Sequence, residues 1–163
     1  MPNSSDVPDK KTLAVGDVIS AHFPEHVPGG REQQGYRPAV VVGIPDRLGL
    51  PRFEVLIVVP MTADRGQRWS ERSPALYPRL EKDTAKLRSP SICLLDQIRS
   101  IGAERVRGYR GTLDAEQYRP IHDGLRRMMY HGGVDTPEQT TESADRSKLS
   151  FGEDGDLPEL LDR

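Results

Sequence analysis

The chain has 163 residues, enough for one domain of ordinary size with room for tails. Its 23 basic and 25 acidic residues nearly cancel, so the total charge does not mark a nucleic-acid binder. A single cysteine, Cys93, excludes an intramolecular disulfide and the four-ligand zinc patterns, and no apolar run approaches the ~20 residues that span a bilayer.

Residues 1–14 are polar and rich in Ser, Asp and Pro, and read as a flexible arm without the apolar stretch of a signal peptide. A reducing cytoplasm is the expected setting. Short strands begin after Gly16. Val18–Phe23 alternates, with Ile19, Ala21 and Phe23 on one face and Val18, Ser20 and His22 on the other. Pro24, Pro28, Gly29, Gly30 and Gly35 then mark a long connecting loop. Ala39–Ile44 and Phe53–Val59 are dense in β-branched residues and predict buried strands, joined by a turn with Pro45, Asp46, Gly49 and Pro51. Further strands are expected near Ala75–Leu80, over Ser91–Ile98, and at Val106–Tyr109.

A helix closes the domain. Asp114 is a good N-cap and Gln117 stands at the capping-box position. Tyr118, Ile121, Leu125, Met128 and Met129 follow on one face, while Pro120 predicts a kink and Gly124 weakens the interior. The pattern gives a mainly β domain over residues 15–130: a partly open antiparallel barrel with a terminal α-helix.

Residues 131–163 form an acidic tail, expected to be disordered. Within 134–163 nine acids face three bases, a net of −6, which leaves 20 bases and 16 acids, a net of +4, for residues 1–133. A basic body suits a phosphate chain, and the tail would be drawn to it at low salt.

Four segments, in order, resemble the MazF/PemK/Kid toxin family. They are Gly16–Ile19; the loop Glu32-Gln33-Gln34-Gly35-Tyr36-Arg37-Pro38 running into Ala39-Val40-Val41; Val58-Val59-Pro60-Met61-Thr62; and Pro90–Ile101, which contains Asp96 and Gln97. The resemblance covers roughly residues 16–129. It implies an SH3-like barrel that acts as a homodimer, pairs with a cognate antitoxin, and cleaves single-stranded RNA without metal or other cofactor. It also likens residues 153–163, with Leu157, Leu160 and Leu161 among acids, to an antitoxin segment able to occlude the RNA site.

On that resemblance Arg37 takes the place of the active-site arginine, where a planar, permanent cation matches two phosphate oxygens. Thr62 takes the place of the catalytic Thr or Ser. Asp96 and Glu32 are the carboxylates for proton transfer or RNA contact. Asp96 is expected to be half-buried on the face of Ile92, Leu94 and Ile98, where burial favours a protonated carboxyl. A structural carboxylate is the alternative. Arg31, Gln34 and Gln97 join Arg65, Arg68 and Trp69 as RNA contacts: arginines track phosphates, and an indole stacks on an unpaired base. Trp69 as a plug at one end of the barrel is the rival reading. The family pattern also carries, in some members, an arginine at position 94 and a histidine at 31, where this chain has Leu94 and Arg31; the general base is therefore unassigned. The alternative function is a non-catalytic barrel that binds RNA or poisons a protein target such as gyrase.

Overall fold

The computed structural model describes residues 12–25 and 27–130. The expected acidic tail, and the arm up to residue 11, lie outside the described residues. Leu13, expected within that arm, is instead buried against the sheet.

Among the described residues seven antiparallel strands form the sheet: β1 (Asp17–Phe23), β2 (Gly35–Gly43), β3 (Val55–Ala63), β4 (Arg79–Leu80), β5 (Ser91–Cys93), β6 (Arg99–Gly102) and β7 (Val106–Thr112). The order is β4-β5-β3-β2-β1-β7, with β6 also on β3. A short helix, α1 (Arg68–Arg72), follows β3, and α2 (Ala115–Met129) ends the domain. This is the expected partly open barrel with its closing helix.

The valine runs are explained by burial on both faces. Val18, Val40, Val59 and Met61 pack with Leu95, Ile121 and Leu125, so one side of the sheet is covered by α2. Ile19, Ala21, Phe23, Ala39, Val41, Leu56 and Val58 pack on the other side with Ile101 and Val106. A strand with two buried faces needs no polar alternation. Val18 is accordingly fully buried, and not on a polar face as the alternation suggested.

The capping box forms as the sequence predicts. Gln117 N donates to Asp114 Oδ1 at 2.8 Å, and Asp114 N donates to Gln117 Oε1 at 3.0 Å. The helix runs on through Pro120 as one element. Gly124 has a packing reason that composition does not reveal. A Cβ there would lie 2.4 Å from Leu95 Cδ1 and 2.8 Å from the Ala75 carbonyl oxygen. Only glycine lets α2 sit this close to the turn that carries Leu95.

That turn departs from the sequence reading. β3 divides its outer edge: Val55–Val58 pairs with β6, and Met61–Ala63 pairs with β5. Between those pairings the chain leaves the sheet as a 3-10 turn, Leu95–Gln97, stitched to β3 by Leu94 N donating to Pro60 O at 3.0 Å. The expected strand Ser91–Ile98 therefore ends at Cys93, and β6, with Ile101 its only large apolar residue, is an added strand. Ala75–Leu80 is likewise a strand only at Arg79–Leu80, because Leu76 and Tyr77 turn back onto the Ser73 carbonyl between Pro74 and Pro78. No helix among the described residues is long and apolar enough to cross a membrane.

Candidate active site

A cleft of about 440 Å³ opens where β3, α1 and the Leu95–Gln97 turn meet, and it is lined by Arg31, Gln33, Thr62, Gln67, Trp69, Tyr77, Leu94, Asp96 and Gln97. Thr62 reaches it because it lies at the end of β3, opposite Ile92 of β5. Arg31 and Gln33 come from the long β1–β2 connection.

Gln97 holds that connection in place. Its Oε1 accepts from Gln33 N at 2.7 Å and its Nε2 donates to Arg31 O at 3.4 Å. Both ends of the amide are thus on loop backbone, so Gln97, expected as an RNA contact, also clamps the loop while lining the cleft. Gln67 is committed in the same way: Nε2 donates to Ala63 O at 3.0 Å, and Oε1 accepts from Arg65 N at 2.8 Å. Gln33 Oε1, by contrast, is buried with no hydrogen-bond partner among the described residues.

Asp96 is exposed, and not half-buried as strand alternation predicted. The alternation ceases with the strand, and the 3-10 turn carries the carboxylate out of the core. Its Oδ2 accepts from Tyr77 Oη at 2.7 Å. That hydrogen bond, with burial and the carboxylate's charge, pushes the Tyr77 phenol up to about 12, so it remains a donor at neutral pH. Tyr77 meets Trp69 edge-on, with ring centroids 4.7 Å apart and planes at 77°. Trp69 is 44% exposed, so it forms a wall of the cleft and does not plug the barrel.

Arg37 is exposed on β2 and is not among the lining residues. Its Nε donates to Gln34 O at 3.3 Å. β2 and β3 pair Ala39 with Pro60, and the same register continued by two residues sets Arg37 against Thr62. There the strands part, Arg37 to Ala21 of β1 and Thr62 to Ile92 of β5. Both lie on the side of Ala39 and Val58 by alternation, at the splayed end of the ladder. Glu32, Gln34, Arg65 and Arg68 are all exposed: the first two belong to the Arg37 loop, and the arginines flank Gln67 and Trp69 in sequence.

The structure therefore gathers Arg31, Thr62, Trp69, Asp96 and Gln97 of the expected residues, and adds Gln33, Gln67, Tyr77 and Leu94. Tyr77 carried no usable sequence signal, since only the fold brings it to Asp96. A neighbouring hollow of about 450 Å³ shares Tyr77, but its cation is engaged: Arg79 Nε lies 2.7 Å from Asp64 Oδ2.

Residues 14–129 match the family described as PemK-like, MazF-like toxin of type II toxin–antitoxin system. No curated protein matches the chain. Among solved structures it is similar to MazF (Form-I) from Deinococcus radiodurans, at 20% identity and a TM-score of 0.54 over 75% of this chain and 96% of that one. A MazE–MazF complex (Form-II) from the same organism matches at 20% identity, with a TM-score of 0.49 over 75% and 95%. Mycobacterium tuberculosis toxin MazF-mt6 matches at 18%, with 0.48 over 68% and 93%.

Proposed function

The chain belongs to the PemK-like, MazF-like family of toxins of type II toxin–antitoxin systems, and on that footing we propose that it is a metal-independent endoribonuclease of the cytoplasm that cuts single-stranded RNA. The observation that carries the reading is the meeting of Thr62 with Arg31, Trp69 and the Tyr77–Asp96 pair in one open cleft. A hydroxyl, a cation, an exposed indole and a carboxylate are what an unpaired ribonucleotide strand requires.

In the proposed reaction the RNA's own 2′-oxygen bonds to the adjacent phosphorus and the bond from phosphorus to the 5′-oxygen breaks. The 2′-proton passes to a base, and a proton passes to the departing 5′-oxygen. The products are a 2′,3′-cyclic phosphate and a 5′-hydroxyl. Arg37 and the Thr62 hydroxyl stabilise the charge that builds on the phosphoryl oxygens. Nε of Arg37 is tied to Gln34, which leaves its terminal nitrogens to face phosphate. Glu32, on the loop that leads into Arg37, is the carboxylate offered for the 2′-proton. Arg65 and Arg68 hold the strand electrostatically. A homodimer and a cognate antitoxin complete the proposal.

The test is purified full-length protein with single-stranded RNA in EDTA, followed by end mapping. Cleavage should persist with cyclic-phosphate and 5′-hydroxyl ends, and Thr62→Val should lower the rate by roughly 10²–10³, as loss of an oxyanion donor does. Divalent-dependent cleavage would overturn the mechanism. RNA binding without any cleavage would return the non-catalytic alternative.

A further inference from the structure

The aromatic end of the cleft is heavily braced and has no part in the bond-breaking above. Tyr77 supports the Trp69 indole edge-on and donates to Asp96 Oδ2. The turn bearing Asp96 is fixed in turn, by Leu94 on Pro60 and by Leu95 buried under α2 beside Gly124. The result is a flat, half-exposed π surface beside a carboxylate of set position.

The fixed polar group beside Trp69 is an acceptor, the Asp96 carboxylate. Gln67 and Gln97 are occupied with loop backbone, Gln33 Oε1 is an acceptor without a partner among the described residues, and a carboxylate offers acceptors. The complementary ligand is a planar ring whose edge carries donors. Uracil offers N3–H between two carbonyls, and adenine and cytosine each set an amino group beside a ring acceptor. Guanine alone presents two adjacent donors, N1–H and N2–H₂, on its Watson–Crick edge. They match the two oxygens of a carboxylate, and Oδ2 retains a lone pair beyond the one that Tyr77 occupies.

We propose that this end of the cleft is a guanine pocket, in which an unpaired guanine of the RNA stacks on Trp69 and donates from N1 and N2 to the Asp96 carboxylate. Tyr77 is the positioning residue that fixes the carboxylate, and Arg31 meets the adjoining phosphate. The assignment rests on reading the cleft as an RNA site, and it makes cleavage specific for sequences with guanine at one position.

The chain's only tryptophan is Trp69, so its fluorescence reports this pocket directly. The full-length protein is titrated with the 5′-monophosphates of guanosine, inosine, adenosine, cytidine and uridine, none of which is a cleavage substrate. The guanosine nucleotide should quench at the lowest concentration. The inosine nucleotide lacks the N2 amino group and should bind roughly tenfold more weakly, the effect of losing one hydrogen bond to a charged group. Asp96→Asn should bring guanosine down to the level of the others. Tyr77→Phe should keep the quenching but narrow the ratio of guanosine to inosine.

Equal quenching by all five nucleotides, quenching by none, or a preference that survives Asp96→Asn overturns the pocket. A guanosine preference in a protein that leaves RNA intact defeats the nuclease reading alone. Cleavage at sites indifferent to guanine, with equal quenching, defeats the pocket alone.

Discussion

The two long connections on either side of β2 are built on opposite plans. The β1–β2 connection is tied across the molecule, with Gln97 bonded to the backbones of both Arg31 and Gln33. The β2–β3 connection is held chiefly by local bonds, joined to the rest of the sheet at its end by Ala103 N donating to Glu54 O at 3.0 Å. Arg47 N donates to Ile44 O at 3.1 Å, Leu48 N donates to Pro45 O at 2.9 Å, and the Arg52 guanidinium lies 5.0 Å from the centre of the Phe53 ring. Leu48 and Leu50 at its tip are fully exposed. The difference teaches where order is invested. A loop that delivers side chains to a cleft needs an anchor distant in sequence, whereas a tip needs only to reverse the chain.

The sharpest way to break the comparison is at Arg37, where the tied loop enters β2. Arg37→Lys keeps the charge and loses the two-pronged fork, so RNA cleavage should fall by about 10²–10³ with the melting temperature unchanged. Wild-type cleavage would leave the tied loop without a chemical role. Next is the support beneath the anchor. Gly124→Ala normally gains helix propensity, ~1 kcal/mol. Here the added methyl meets Leu95 and the Ala75 carbonyl, so urea denaturation should show a net loss of about 1–3 kcal/mol. A more stable protein would mean that α2 shifts freely over the turn.

A smaller effect is expected at the anchor itself. Gln97→Leu removes both ties and should cost about 1–2 kcal/mol. Amide exchange at Gln33 should quicken while that at Leu48 stays constant. Equal protection at Gln33 in the variant would show that the loop is ordered by something else. The smallest effect belongs to the tip: Leu48→Ser combined with Leu50→Ser should leave stability within ~0.5 kcal/mol and cleavage unchanged. A larger loss would mean that the tip is covered in the working assembly.

The same contrast explains what was legible in the sequence. Val40, Val41, Val58 and Val59 announce buried strands whatever surrounds them, and the Asp114 capping box is a local device that forms in place. Thr62 was legible through the family pattern and lines the cleft, as does Arg31, a residue at which this chain departs from that pattern. The turn at Leu95–Gln97 was not legible, because Ser91–Ile98 keeps strand-like alternation while the backbone leaves the sheet. Its departure depends on β6 taking over the edge of β3, a pairing between residues far apart in the chain. Tyr77 and the clamp role of Gln97 are hidden for the same reason, since their partners are 19 and 64 residues away. Helix propensity marks Gly124 only as a weak point, whereas its value lies in the space it leaves for Leu95.

Cys93 turns the strand beside Thr62 into a clock. It is fully buried in β5 opposite Met61, its N–H bonded to Pro78 O, and burial pushes its thiol up to about 12. The reactive thiolate is therefore scarce at neutral pH, and no alkylating reagent reaches the sulfur while β5 stays in register. As the sole sulfhydryl of the chain, it takes up one adduct per molecule. The rate at which that adduct appears, followed by mass spectrometry on the unaltered protein, records how often β5 opens from the edge of β3, and so the lifetime of the strand pair that holds the cleft.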